Sequence, residues 1–234
     1  MLILICRIIF SERRCLTLNI IRIRTGELKS NCYILPTNKN NCLIFDPGDE
    51  FDKINNHIIK NNLSPTNILL THGHYDHIGA VADFKKFYPN IKIAISKEDE
   101  QCLTDNSKNL SSTYSSKILE PVSSDLTLND GSNLQIDDIS IFTISTPGHT
   151  RGSVCYFIND EILLTGDTLF KNSVGRTDFE GGSQVELKKS IRKLYDLLKP
   201  SNLKQIPIYP GHWLTSNLQS EYENNPYLQF LKDY

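Results

Sequence analysis

The sequence lacks any run of apolar residues long enough to cross a bilayer, which takes roughly 20 consecutive residues in a helix. It also lacks an excess of basic residues, because 25 lysines and arginines stand against 27 acidic residues and leave a net charge of −2. The first absence argues against a membrane partner, and the second argues against nucleic acid. With 39% hydrophobic and 22% charged residues, the composition is ordinary for a globular enzyme, so we expect a small-molecule substrate. The oligomeric state stays open.

Paired cysteines are missing as well. None of the six cysteines forms a Cys-x-x-Cys pair, and their scatter does not resemble the disulfide framework of a small secreted domain. We therefore expect free thiols and a reducing compartment, the cytoplasm. Cys155, in an apolar segment, is expected to be core packing.

Residues 1–16 form an N-terminal extension that we set apart from the rest of the chain. Residues 1–10 are mostly apolar, and Glu12, Arg13 and Arg14 follow them. A secretory signal has its basic residues first and a small-residue cleavage site after the apolar part, and neither is clear here. A short targeting segment, an appended strand and an upstream start codon all remain open. Residues 17–234 are expected to form a single domain.

Histidine is scarce, yet three of the six histidines fall within the segment Thr71–Gly79. With the aspartate among them, the candidate metal ligands of this segment are His72, His74, Asp76 and His77. Imidazole and carboxylate together suit zinc, iron or another divalent first-row metal. The segment follows the apolar, strand-like residues 67–70, and loops at strand ends commonly carry function. We interpret it as a metal-binding loop.

Apolar periodicity predicts the secondary structure of both halves. In the first half, strands are predicted at 17–24, 31–35, 42–45, 67–70 and 91–95, with helices at 51–61 and 79–88. In the second half, hairpins are predicted at 126–136 and 153–164, strands at 139–144 and 206–209, and a helix at 184–198. Residues 97–122 have weak periodicity and are expected to be irregular. The alternation of helix and strand favours an α/β architecture.

Three further candidate ligands share a position just beyond an apolar strand. They are His149, Asp167 and His212, and a glycine directly precedes each of them. Glycine permits tight turns, and strand ends at one edge of a sheet converge in space. We therefore expect these residues to join the early cluster in one site.

These motifs together resemble the metallo-β-lactamase superfamily, and within it the short glyoxalase II-like hydrolases. The segments that carry the resemblance are 31–33, 46–48, 71–79, 146–150, 166–170, 175–179, 210–212 and 225–228. The resemblance implies a four-layer αβ/βα sandwich, an α/β (α+β) fold with two mixed β-sheets flanked by helices. Only 22 residues follow His212, which fits the short subgroup.

The resemblance also implies two divalent metal ions per chain, with zinc expected and iron or manganese as alternatives. His72, His74 and His149 would hold the first metal, and Asp76, His77 and His212 the second. Asp167 would bridge both. The implied reaction is hydrolysis of a thioester, such as S-lactoylglutathione, by a metal-bridging hydroxide that Asp76 helps to orient.

Arg176 is the candidate substrate-binding residue, because a basic residue at this place in the resembled family contacts glutathione. An ion pair with Asp178 is the alternative role for this arginine. Trp213 departs from the family, which usually has a small residue after this histidine, and an indole there would narrow the pocket or stack on substrate.

Other activities stay open at this stage. A persulfide dioxygenase of the same superfamily, which uses one iron, shares a segment like Gly175–Phe179. A true β-lactamase is disfavoured, because Asp167 stands where many of those enzymes use cysteine. A metal-binding scaffold without catalysis is the alternative from another class.

Overall fold

A computed structural model describes residues 18–199 and 206–232, so the extension 1–16 lies outside the described residues. Most of the described strands belong to two six-stranded sheets. The first sheet contains, in spatial order, β1 (Ile21–Thr25), β2 (Ser30–Pro36), β3 (Asn41–Phe45), β4 (Ser64–Leu69), β5 (Lys92–Ser96) and β6 (Leu126–Leu128). The pairs β1–β2 and β2–β3 are antiparallel, and the three pairs from β3 to β6 are parallel.

The second sheet is also mixed. Its strands are β7 (Asn133–Ile136), β8 (Ile139–Ser145), β9 (Val154–Ile158), β10 (Ile162–Gly166), β13 (Pro207–Pro210) and β14 (Ser216–Asn217), in the spatial order β14-β13-β10-β9-β8-β7. Only β10 and β13 pair in parallel. A short separate hairpin consists of β11 (Leu169–Phe170) and β12 (Ser173–Val174).

The helices of the described residues are α1 (Phe51–Lys60), α2 (Tyr75–Ile78), α3 (Val81–Phe87), α4 (Ser111–Tyr114), α5 (Gln184–Leu198) and α6 (Leu218–Asn224), with 3-10 turns at Lys97–Leu103 and Pro226–Leu231. Four of the helices, α1, α3, α5 and α6, pack on the outer faces of the two sheets. None of the helices within the described ranges has the length and apolar character needed to cross a membrane.

Alternate residues of β2 show how the layers form. Tyr33 and Leu35 are buried between the two sheets, where they share a core with Tyr156 of β9. Cys32 and Ile34 point to the other face and pack in the core that contains α1 and α3. The side-chain period of two in a strand produces this division. The outer face of the second sheet packs on α5 and α6 in a third core. Helix, sheet, sheet and helix make four layers, which confirms the predicted sandwich.

The helix at 184–198 was predicted with the bounds that α5 has. The Ser183 hydroxyl oxygen accepts a hydrogen bond from the backbone N–H of Glu186 at 3.3 Å, so it caps the first turn. The hairpin of β9 and β10 is confirmed too. The cysteines at 32, 42, 102 and 155 are free and buried, as expected.

The predicted hairpin of residues 126–136 is wrong. β6 pairs with β5 in the first sheet, whereas β7 pairs with β8 in the second. The turn at Asn129–Gly131 instead carries the chain from one sheet to the other, and the backbone N–H of Gly131 donates to the carbonyl oxygen of Thr143 in β8. A turn signal shows that the chain reverses, but the partner of each strand is set by burial against the sheets.

The start of one predicted helix and the exposure of two apolar residues differ from the pattern in the sequence. The helix predicted at 79–88 begins at Val81, because Tyr75–Ile78 already forms a short helix of its own. Phe87 and Ile59 belong by their spacing to the apolar faces of their helices, but they are 59% and 55% exposed. Each lies at the edge of its apolar stripe, beyond the reach of the sheet.

Candidate metal centre

The site lies where strands of the two sheets end side by side. β3, β4 and β5 run parallel in the first sheet, and β8, β10 and β13 share one direction in the second. The carbonyl oxygen of Thr71 accepts a hydrogen bond from Val154 N–H at 2.8 Å, and Gly211 N–H donates to Gly166 at 2.8 Å. The first bond ties the loop after β4 to the start of β9, and the second ties the turn after β13 to the end of β10, so the segments with the predicted ligands meet at one edge.

All seven predicted ligands converge there. Atoms suited to bind a metal lie within 4.8 Å of one another in three groups, which are His72 with His74 and His149, His72 with His77 and Asp167, and Asp76 with His77 and His212. The first and third groups match the two sets that the resemblance implies. His74 Nδ1 lies 2.9 Å from His149 Nε2, and His212 Nε2 lies 3.2 Å from Asp76 Oδ2.

The carboxylate of Asp167 lies between the two sets. Its Oδ1 is 3.5 Å from His77 Nε2, and its Oδ2 is 3.6 Å from His149 Nε2. Its Oδ2 is also 3.5 Å from His212 Nε2, so the carboxylate lies beside donors of both sets. This is the position that a shared ligand would need.

The buried carboxylate of Asp46 orients the imidazole rings of His77 and His72, the first directly and the second through Thr71. Asp46 Oδ2 lies 3.1 Å from His77 Nδ1 and accepts the hydroxyl proton of Thr71 at 2.7 Å. The same Thr71 oxygen lies 3.1 Å from His72 Nδ1, so it is left to accept from that ring. Both histidines thus place Nε2 toward the centre, which is how hydrogen bonds behind metal-ligating histidines commonly fix the free nitrogen.

His149 is oriented by the backbone. Its Nδ1–H donates to the carbonyl oxygen of Arg176 at 2.8 Å, which leaves Nε2 directed at His74 and Asp167. The loop with Arg176 therefore helps to set the ring of a candidate ligand, whatever the arginine side chain does.

The donor set fits a divalent cation. His72 Nε2 and Asp167 Oδ1 are buried without a hydrogen bond among the described residues. Such an unsatisfied atom costs about 1–3 kcal/mol, and a cation would satisfy both. Burial and the neighbouring imidazoles lower the pKa of His72 and lower that of His74 to about 3. Both rings are neutral at physiological pH, as metal ligands must be.

On the side of the site that contains Asp76 and Asp167, the pKa of a histidine is raised instead of lowered. Burial alone would lower the pKa of His77, but Asp76 and Asp167 outweigh it and raise the pKa to about 10. In the same way, burial would raise the pKa of Asp76, but His77 and His212 outweigh burial and lower it. Imidazolium is the partner of these carboxylates in the free protein, and a bound cation would replace that charge and release protons.

The sequence patterns assign no role to Asp46 and Asp99, two aspartates that position the candidate ligands. Asp46 was noted only as part of a motif, although it too follows a strand, so the strand-end rule would have found it. Asp99 is buried and accepts hydrogen bonds from Gly73 N–H at 2.9 Å, Gly152 N–H at 2.8 Å and the Thr150 hydroxyl at 2.7 Å. It thereby ties the loop of His72 and His74 to the loop of His149. It stands among other acids in a weakly patterned stretch, so no sequence signal singles it out.

The turn that carries His212 is held by β2. Asn31 Nδ2 donates to the carbonyl oxygens of Pro210 at 2.8 Å and Trp213 at 3.1 Å, and the Tyr33 hydroxyl donates to Pro210 at 2.7 Å. The Asn31-Cys32-Tyr33 motif therefore positions a candidate ligand almost two hundred residues away in the chain.

Gly211 is required by close packing under the site. A Cβ at this residue would lie 2.2 Å from Asp167 Oδ1 and 2.7 Å from His77 Cε1. We expect Gly211→Ala to displace Asp167 and to lower metal content and activity at least about tenfold, the lower range for disturbed ligand support. Metal analysis and steady-state kinetics measure both.

Gly131→Ala is the matched control for this variant. Its φ of +79° strains an alanine, but a Cβ there meets nothing within 4 Å. We expect normal metal content in Gly131→Ala, and normal metal content in Gly211→Ala would contradict the assignment.

A cavity of about 520 Å³ opens above the donors. Besides five of the predicted ligands, its lining includes Leu28, Tyr75, Leu110, Tyr114, Phe170, Val174, Arg176, Phe179 and Trp213. Leu110 and Tyr114 belong to the irregular stretch 97–122, so part of that stretch does border the site. A cavity of this volume suits a small molecule.

Arg176 lines the cavity, but its side chain already has partners. Its Nε and Nη2 donate to the two oxygens of Asp178 at 2.7 and 2.6 Å, and the guanidinium lies 4.0 Å from the centre of the Phe179 ring. The alternative role foreseen for this arginine is thus present. The pair is more than half exposed, so it is weakly held and leaves Arg176 accessible.

Comparison with known proteins supports the geometry. The sequence profile of the metallo-beta-lactamase superfamily matches residues 25–212. The probable metallo-hydrolase YqgX of Bacillus subtilis is 34% identical over 208 residues, which cover 88% of this chain and 96% of that protein. The hydroxyacylglutathione hydrolase GloC of Haemophilus influenzae is 30% identical over 213 residues, covering 90% of this chain and 98% of that protein.

The fold of this chain also matches those of solved structures. The crystal structure of BLEG-1 B3 metallo-beta-lactamase superposes with a TM-score of 0.82 at 30% identity, covering 89% of this chain and 99% of that one. The crystal structure of TTHA1623 in a di-iron-bound form superposes with a TM-score of 0.77 at 27% identity, covering 89% and 100%.

Proposed function

This chain belongs to the metallo-beta-lactamase superfamily, and from that membership we propose that it is a metal-dependent hydrolase of thioesters. Hydroxyacyl-glutathione compounds such as S-lactoylglutathione are the proposed substrates, because GloC, at 30% identity, is named for that reaction. The single observation that carries the proposal is the position of Asp167 between two sets of donors at the floor of an open cavity.

We assign the ligands in two sets that share one residue. His72, His74 and His149 would hold one cation, Asp76, His77 and His212 would hold the other, and Asp167 would contact both. When bound, divalent cations would lower the pKa of water to about 7 and polarise the substrate carbonyl. Zinc is the proposed metal, and the di-iron form of TTHA1623 makes iron the main alternative.

The protein's own groups would orient the reactants. Asp76 lies in the cavity wall with Oδ2 between the rings of His77 and His212, at 3.5 and 3.2 Å. This oxygen would accept a hydrogen bond from the attacking water and direct its lone pair at the carbonyl carbon. The Phe179 ring meets the His74 ring edge to face, with centroids 5.4 Å apart, and would exclude water from that side.

The test is a substrate panel on purified protein of known metal content. We expect cleavage of S-lactoylglutathione with two metals per chain. Oxygen consumption on glutathione persulfide with one iron would support the dioxygenase instead, and cleavage of a cephalosporin alone would support a lactamase like BLEG-1. Bound metal without any of these activities would leave a scaffold.

Arg176 is proposed to bind a carboxylate of the glutathione part, since an arginine fork can grip a carboxylate with two hydrogen bonds. We expect Arg176→Ala to raise KM for glutathione thioesters about tenfold with little change in kcat, because the lost contact serves binding. Steady-state kinetics on S-lactoylglutathione measure this.

Asp178→Asn is the matched variant for the same pair. It releases the guanidinium from its present partner, so KM should stay the same or fall. If both variants raise KM equally, the pair is structural and Arg176 does not bind substrate.

A further inference from the structure

Trp213 has an unusual conformation next to a candidate ligand. It directly follows His212 and has a φ of +63°, the left-handed region that bulky residues rarely adopt. Two side chains fix its backbone, because Arg22 Nη1 and Asn31 Nδ2 each donate to its carbonyl oxygen at 3.1 Å. Backbone strain that the surroundings enforce in this way is typical of functional sites.

The indole is not buried by this arrangement. Trp213 is 58% exposed, and its ring meets the Phe170 ring edge to face, with centroids 4.8 Å apart. Both rings line the cavity, together with Val174 of the same hairpin as Phe170 and with Leu28. The wall beside His212 is therefore apolar and open to a ligand.

The wall beside His149 also contains aromatic rings, those of Phe179 and Tyr114, but it differs in carrying a positive charge. There the guanidinium of Arg176 lies over the Phe179 ring, and the Arg176 carbonyl holds His149. Among the described residues that line the cavity, Arg176 is the only lysine or arginine. A substrate that spans both sets of donors would thus have one end at an apolar wall and the other at a cation.

We infer that Trp213 and Phe170 form a subsite for an apolar acyl group, while the thiol part of the thioester faces Arg176. The inference rests on the proposed function, which it narrows to thioesters with an aliphatic or aromatic acyl group larger than lactoyl. Trp213 would determine specificity by the apolar area that it covers.

Binding can be measured apart from turnover with two thioethers that the protein cannot hydrolyse, S-methylglutathione and S-hexylglutathione. Trp213 is the only tryptophan in the sequence, so intrinsic tryptophan fluorescence reports on this residue alone. We expect the hexyl compound to shift the emission to shorter wavelength. Its Kd should be at least about tenfold lower than that of the methyl compound, since several methylenes leave water.

Variants then assign the preference to the indole, with calorimetry as the readout for all proteins. Trp213→Ala should reduce the preference for hexyl over methyl to about twofold or less, and Trp213→Phe should keep most of it. Leu214→Ala is the control, because Leu214 is 56% exposed and adjacent but does not line the cavity. Circular dichroism checks that each variant is folded.

Equal affinity for the two thioethers, or an unchanged preference in Trp213→Ala, would overturn the subsite. Thioester turnover without acyl discrimination would overturn it too and would leave the proposed function intact. Tight hexyl binding without turnover of any thioester would overturn the proposed function and with it the acyl assignment.

Discussion

Asp167→Ala is expected to lose both metals and nearly all activity in one step. The Asp167 carboxylate lies beside donors of both sets, at 3.6 Å from His149 in the first and at 3.5 Å from His77 and His212 in the second. Disturbing only the hydrogen-bonded support of a ligand typically costs 10–100-fold in affinity or activity, so loss of a shared ligand should cost more than about a hundredfold. Metal content by mass spectrometry and kcat/KM on a thioester measure the two losses.

The control for this variant is Asp196→Ala, which removes an exposed aspartate on α5 that does not line the cavity. It should keep full metal content and activity. If Asp167→Ala retains two metals per chain, the bridging assignment is wrong. If it retains one, Asp167 supports a single ion only.

Removal of the metals by a chelator is expected to have the second largest effect. Without cations, the site leaves His72 Nε2 and Asp167 Oδ1 buried without a hydrogen bond. A ligand present at about 1,000 times its Kd stabilises the folded state by about 4 kcal/mol. For a chain of this size that corresponds to a fall in Tm of roughly 10 °C on chelation, together with loss of activity.

Differential scanning fluorimetry and activity assays follow the loss and its reversal. Zinc, iron and manganese should be added back separately, and the metal that restores both Tm and turnover identifies the working ion. The Asp167→Ala protein should show little change in Tm on chelation, because it has little metal to lose. An unchanged Tm in the native chain would mean that no bound cation contributes to its stability.

Most of the candidate site can be predicted from the sequence, because four of its residues lie close together in the chain. His72, His74, Asp76 and His77 stand within six positions, so their shared loop needs no tertiary information. The three distant ligands each follow an apolar strand and a glycine, and strand ends are rigid and converge. The structure brings their donor atoms together with the early cluster, as that rule predicts, and the same rule indicates Asp46 as well.

The residues that position the candidate ligands are harder to predict from the sequence. Asp99 lies among Glu98 and Glu100, and only the folded chain shows that this acid, not its neighbours, accepts hydrogen bonds from two ligand loops. Asn31 is linked to the turn of His212 across 179 positions. Contacts between distant segments have no period in the sequence, so local patterns do not reveal them.

Local patterns in the sequence predicted the main strands and helices, the helix α5, and which side chains are candidate metal ligands. The tertiary structure decided which sheet β6 and β7 joined, because strand partners follow from the total apolar area that the layers bury. It also decided that Arg176 is paired with Asp178 and that Trp213 forms an open apolar wall. The position of Trp213 depends on the side chains of Arg22 and Asn31, which hold its carbonyl oxygen and come from far away in the sequence.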